Sequence, residues 1–181
     1  MLRTLDRIKA ADEAWLSDPE IFMVNRLDAH SDHMYYEDKD AMYGDEMPLR
    51  QSLNGTWKIN YAVNIEASDR DFYKEDRDAT LYDDIKVPGH MELQGFGRCQ
   101  YINTMYPWEG SEDLRPPHIP REDAPVGCYV RYFDINPELA GKRTFISFQG
   151  VENAFYLWIN GQFVGCLLYT SPSPRDLSTS R

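Results

Sequence analysis

The chain of 181 residues is poor in cysteine, in basic residues and in long apolar runs. Its three cysteines, Cys99, Cys128 and Cys166, have no metal-like spacing, and an odd number leaves one outside any disulfide. That argues against a disulfide-stapled secreted domain and suits a reducing, cytoplasmic compartment. No apolar stretch approaches the ~20 residues of a membrane span, and the start, MLRTLDRIKAADEAWL, lacks a signal-peptide core. No membrane partner is therefore expected. Nineteen Lys and Arg face thirty Asp and Glu, a formal net charge of -11. Such a field repels nucleic acid and leaves a neutral partner such as a sugar unopposed. There is no P-loop, no nucleotide-binding glycine turn and no Ser or Cys nucleophile elbow.

What is present is aromatic. Phe, Trp and Tyr make up 13% of the chain, a share that leans toward an all-β core. The stretch 144–165, TFISFQGVENAFYLWINGQFVG, holds two apolar runs of strand length, 145–148 and 155–159. Asn160-Gly161 supplies the two positive-φ positions of a tight primed turn, and 162–164 pairs back as the return strand. So much aromatic surface on one hairpin needs a facing sheet, which predicts a β-sandwich.

Elsewhere, WKINYAV alternates Trp57, Ile59, Tyr61 and Val63 with polar positions and predicts a strand. Further strands are predicted at 85–87, stopped by Pro88-Gly89, and at 128–135. The acidic residues 66–84 read as a solvated loop with a short helix near Phe72-Tyr73. Residues 37–50 read as loop. Residues 1–16 predict a short polar helix or an arm, and 21–36, without a period, a segment lying extended across a surface. The resulting division is an arm and linker at 1–50, a sandwich domain at 51–165 and a tail at 166–181.

The best candidate for ligand contact is QYINTMYPWE, residues 100–109. Sugars present flat C–H faces edged by paired hydroxyls. Aromatic rings cover the face, and a carboxamide donates to and accepts from neighbouring hydroxyls. Asn103, with Tyr101, Tyr106 and Trp108 around it, supplies both kinds of group. Packed surface loops of this composition are nevertheless common. His30 and His33 have no further metal-spaced partner, so no metal site is expected, and His90 and His118 read as loop residues. The carboxylates, Asp69–Asp71 among them, sit on no apolar wall that would raise a proton affinity, so no catalytic residue is expected either.

Six blocks in one order, VNRLDAH, SLNGTWKINY, VPGHMELQGFG, QYINTMYPWEG, PVGCYVRYFDI and FQGVENAFYLWINGQFVG, resemble the amino-terminal part of β-galactosidases of glycoside hydrolase family 2. LNGTW and GCYVRYF are shared with β-glucuronidases and β-mannosidases. VNRLDAH and the YINTMYP loop point to the long β-galactosidases. The resemblance implies a truncated, galactose-binding-domain-like jelly roll, with Asn103 contacting substrate. It also implies that the two catalytic glutamates lie in a separate barrel, and that the intact enzyme uses Mg and Na. The implied partners are a β-galactoside such as lactose, the remaining domains of the enzyme and further subunits. The N-terminal arm would pack between subunits or domains. A free-standing carbohydrate-binding module is the alternative of another class.

The tail CLLYTSPSPRDLSTSR breaks the strand register, and Ser-Pro-Ser-Pro cannot continue a paired strand. CLLYTSPSPRD matches one reading frame of a transposase adaptor used in sequencing libraries. Residues 166–181 are therefore expected to be adaptor read-through, with the hairpin edge left unpaired.

Overall fold

The computed structural model describes residues 7–27, 34, 36–44, 49–99, 113–115, 117–152 and 154–168. Its strands are β1 (Met23–Val24), β2 (Gly55–Ala62), β3 (Asp83–Val87), β4 (Val126–Val130), β5 (Phe155–Ile159) and β6 (Gln162–Leu167). They form two antiparallel sheets of three, ordered β3-β2-β4 and β1-β6-β5. The all-β class expected from the aromatic share holds.

The β5–β6 hairpin forms where the sequence predicts it. Asn160 and Gly161 take φ of 49° and 71°, the left-handed pair that matches the twist of the flanking strands. A register shift between Leu157 and Trp158 brings Trp158 opposite Phe163, while Tyr156 faces Cys166. These four side chains therefore share one face, and two separate segments cover it. Trp15, from the short 3-10 helix Glu13–Ser17, stacks on Tyr156 with centroids 6.2 Å apart and tilts against Phe163. Tyr73 stacks on Trp158 at 4.8 Å, with Phe72 edge-on to the same indole.

The arm belongs to this lobe. Met23 and Val24 pair with Leu167 and Cys166, and Val24 is buried. The Asn25 side chain accepts from Ile8 N–H at 3.1 Å and donates to Ile8 carbonyl at 2.7 Å. The Tyr156 hydroxyl donates to the Asp12 carbonyl at 3.0 Å. The extended lie predicted for 21–36 is met at β1, on the protein's own sheet.

Side-chain alternation along β2 gives it two different faces. Trp57, Ile59 and Tyr61 point one way with Ile85 of β3 and Tyr129 of β4, and Ile59 and Ile85 are fully buried. Lys58, Asn60 and Ala62 point the other way with Cys128. The chain from residue 64 to Tyr82 crosses this second face, pinned at Asp69. The Asp69 carboxylate accepts from the Tyr82 hydroxyl, from Arg77 Nε at 2.6 Å and from Asp71 N–H at 3.1 Å. The Asp69 carbonyl takes the Cys128 thiol at 3.7 Å, and Lys58 Nζ donates to the Tyr82 carbonyl at 3.1 Å. This loop was expected to be solvated. Its Asp69 side chain is only 12% exposed, because it replaces water with three fixed donors.

Other expectations need correction. Residues 37–50 are not all loop: α1 (Lys39–Gly44) forms, and Asp38 accepts from Ala41 N–H at 2.9 Å as its cap. No helix forms at Phe72-Tyr73, where successive turns replace it. The strand expected at 128–135 starts at Val126 and stops at Val130. Residues 145–148 alternate but pair with no described strand, and Phe145 is exposed. Alternation reports which way side chains point, whereas a strand also needs a partner edge. The register also runs past Gly165: β6 reaches Leu167, with Cys166 and Leu167 paired to β1 and buried on opposite faces, because both side chains are apolar enough to be covered.

Two outcomes follow from these contacts. Burial pushes the Cys128 and Cys166 thiols up to about 11, whereas Cys99 is exposed. A thiol reagent at neutral pH should modify Cys99 first and reach the other two only on unfolding, as counted by mass spectrometry. For Asp69, burial raises the carboxyl's proton affinity, but donors from Tyr82, Asp71 and Arg77 outweigh it and hold the group below its ordinary 3.8. A depressed folded value stabilises the fold above pH 3.8, and that contribution disappears as pH falls through the folded value. Asp69→Asn should cost about 1–2 kcal/mol near neutrality and flatten the acid limb, measured by tryptophan fluorescence against denaturant.

Candidate functional site

Tyr101, Asn103, Tyr106 and Trp108, the residues predicted to meet a sugar, lie outside the described residues, as do His30 and His33. The structure does show the ground from which their segment departs, and that ground is built in detail.

It begins where β3 ends. Val87-Pro88 is a cis peptide, and the chain passes through the 3-10 helix Glu92–Gln94 to Gly95, with φ of 94°. The Gln94 side chain folds back onto the outer edge of β3. Lys86 N–H donates to Gln94 Oε1 at 2.8 Å, and Gln94 Nε2 donates to the Lys86 carbonyl at 3.0 Å and the His90 carbonyl at 3.3 Å. A single carboxamide thus stands in for a neighbouring strand at Lys86. Its fit depends on Gly89, where a Cβ would lie 2.7 Å from Gln94 Nε2 and 2.9 Å from the Lys86 carbonyl.

The chain then returns over the apolar face of β2. The Phe96 ring lies 6.5 Å from that of Tyr61. Gly97, with φ of 85°, passes so near Tyr61 that a Cβ would sit 3.0 Å from its hydroxyl and 3.3 Å from its ring. Arg98 pairs with Asp123, tying the outgoing chain to the returning one. Beside them, the Tyr129 hydroxyl of β4 is pushed up, first by burial and then by the Glu92 carboxylate, so it stays protonated as a neutral wall.

On the returning side an open groove of about 720 Å³ is bordered by Glu13, Ser17, Ile65, Glu66, Arg115 and His118 among others. His118 lines it, and His90 contributes only its carbonyl to Gln94. Charges of both signs line the groove. Among the described residues no three His, Cys, Asp or Glu side chains converge as metal ligands. No helix of the described residues is long and apolar enough to cross a membrane.

Two features of this ground were missed in the sequence. Gln94 looked like an ordinary loop residue, although Gly89, Gly95 and Gly97 around it signal a backbone forced into unusual conformations. Arg98 and Asp123 are 25 residues apart and carry no local signal at all.

Two small antiparallel sheets, with a braced turn after β3, define a β-rich lobe. The family profile described as glycosyl hydrolases family 2, sugar binding domain, matches residues 50–177, and the chain belongs to that family. Over 166 residues, 91% of this chain and 18% of the relative, it is 57% identical to a beta-galactosidase of Clostridium acetobutylicum. It is 55% identical to a beta-galactosidase of Halalkalibacterium halodurans over 84% of this chain and 15% of that protein. It is 46% identical to the beta-galactosidase large subunit of Leuconostoc lactis over 86% of this chain and 26% of that protein. The chain thus spans about a fifth, or less, of the long relatives it matches.

Proposed function

We propose that this chain is the amino-terminal lobe of a β-galactosidase that hydrolyses terminal β-D-galactosyl residues of β-galactosides such as lactose, with retention of configuration. The observation that carries the proposal is the 57% identity over 91% of the chain to a protein named beta-galactosidase. The relatives' names favour this over a β-glucuronidase, a β-mannosidase or a free-standing binding module.

On this reading the lobe is a jelly-roll sandwich that lends contacts and leaves the bond-breaking to a barrel elsewhere in the enzyme. Asn103 holds the galactose ring. Its carboxamide oxygen accepts from one hydroxyl and its amide donates to the next, which fixes the ring as the anomeric carbon gains positive charge. Tyr101, Tyr106 and Trp108 supply the apolar surface for the C–H face. The acid/base and nucleophile are two glutamates outside this chain. Magnesium and sodium are expected for the intact enzyme, and among the described residues no three His, Cys, Asp or Glu side chains converge to hold either. The intact enzyme is read as a cytoplasmic oligomer.

The test is turnover of an aryl β-galactoside. The full-length gene product should hydrolyse it and the 181-residue chain should not. Asn103→Ala in the full-length enzyme should lower kcat/KM by about tenfold or more, the size of a lost hydrogen bond to substrate. Turnover by the short chain, abolished by changing one of its own carboxylates, would refute the division of labour.

A further inference from the structure

We propose that Gln94 guards a strand edge: its carboxamide occupies the outer side of β3 and keeps that side from pairing with β3 of a second copy of this chain. The inference does not rest on the β-galactosidase reading.

The strand is self-complementary. β3 stands at one end of the β3-β2-β4 order, with β2 on one side only. In an antiparallel ladder the N–H and C=O of successive residues point to alternate sides. Lys86 directs both of its groups to Gln94, away from β2, so the outward groups of β3 fall at Asp84 and Lys86. A second β3 laid antiparallel, with the two-fold axis at Ile85, sets Asp84 of each copy opposite Lys86 of the other in a hydrogen-bonded pair. Asp84 and Lys86 are both exposed, and opposite charges directly across a ladder stabilise it. Their present partners, Lys58 for Asp84 and Thr56 for Lys86, are held by surface contacts that are exchanged at little cost. Such an interface is isologous and closes at two copies.

Gln94 blocks it at the one residue that matters. Each of the two pairs contains a Lys86, so occupying the backbone of Lys86 removes both. The carboxamide accepts from Lys86 N–H at 2.8 Å and donates to its carbonyl at 3.0 Å, as the backbone of a neighbouring strand would. Hydrophobic burial does not account for the turn that delivers it: Glu92–Gln94 has no buried residue, and Leu93 is 75% exposed. Gly89 keeps the place open, since a Cβ there would lie 2.7 Å from Gln94 Nε2. An uncapped edge with paired outward groups is a template for strand addition, and a side chain that covers it removes the template.

The test is sedimentation velocity of the 181-residue chain over a range of concentrations. Gln94→Ala should raise the self-association constant about tenfold or more over the unmutated chain, the size expected when two backbone groups are freed to pair. Lys86→Pro added to Gln94→Ala should return the constant to the unmutated value, because proline removes the outward N–H and leaves the bonds to β2 in place. Gly89→Ala displaces the carboxamide without altering Gln94 and should repeat the rise should Gln94→Ala fold poorly, with folding read from tryptophan fluorescence against denaturant. Leu93→Ala on the same turn should leave the constant unchanged. A constant unmoved in Gln94→Ala and Gly89→Ala, raised equally by Leu93→Ala, or not returned by Lys86→Pro overturns the inference. None of these results bears on the β-galactosidase reading, which stands or falls on turnover.

Discussion

The lobe depends on where the Asp69 carboxylate is held. The segment from residue 64 to Tyr82 is acidic and would by composition prefer water. Asp69 instead gathers Tyr82, Arg77 and the Asp71 amide, and its carbonyl meets the Cys128 thiol on β4. The magnitudes separate the roles. The half-exposed Arg77 pair is screened by solvent and holds little, whereas each half-buried aromatic ring removes apolar area from water, a gain on the order of 1 kcal/mol. The carboxylate does not outweigh the rings. It selects the one loop conformation that carries Phe72 and Tyr73 to Trp158, and so joins the β3-β2-β4 sheet to the hairpin.

The same strand, β2, serves both ends of the structure. Its Lys58–Asn60–Ala62 face lies under the Asp69 loop, and on its Trp57–Ile59–Tyr61 face Tyr61 meets Phe96 and Gly97. Because alternation has a period of two, a one-residue slip of β2 would exchange these faces and lose both at once. The paired register with β3 and β4 on either side prevents that slip. The N-terminal arm adds a third brace, since Trp15 covers the same hairpin face that Tyr73 covers from the other side.

Local features were legible in the sequence and distant ones were not. Asn160-Gly161 announces the hairpin, since few other pairs tolerate positive φ twice in succession. The alternation of Trp57, Ile59 and Tyr61 announces β2 and its buried face. Asp38 ahead of α1 is a readable cap, but the composition of residues 37–50 reads as loop. Asp69 could not be read, because its donors come from Arg77, Tyr82 and, through the backbone, Cys128, which sequence distance hides. Residues 145–148 misled in the opposite sense: they have the pattern of a strand, but no pairing edge reaches them among the described residues. For the candidate site, residue types suggest a sugar contact at Asn103, which lies outside the described residues; the matching family profile is described as a sugar binding domain and assigns no residue. The braced turn at 86–98 carries no compositional mark except its glycines.

On the proposed function, that turn bears on what a lobe separate from the catalytic barrel contributes to hydrolysis. A contact that strengthens as the transition state forms raises the rate, whereas one that grips substrate and transition state alike raises only affinity. A hydrogen bond from a separate lobe falls in the first class only if the lobe does not yield when the sugar ring changes shape. A loop hung from exposed ion pairs would follow the ring and bind both states equally. A loop whose root is fixed by a carboxamide on a strand edge and by a glycine against a tyrosine ring has less freedom to follow. On the proposed function, the Gln94 bonds to Lys86 and the contact of Gly97 with Tyr61 are, with the Arg98–Asp123 pair, the last tethers of the chain among the described residues before the Asn103 contact.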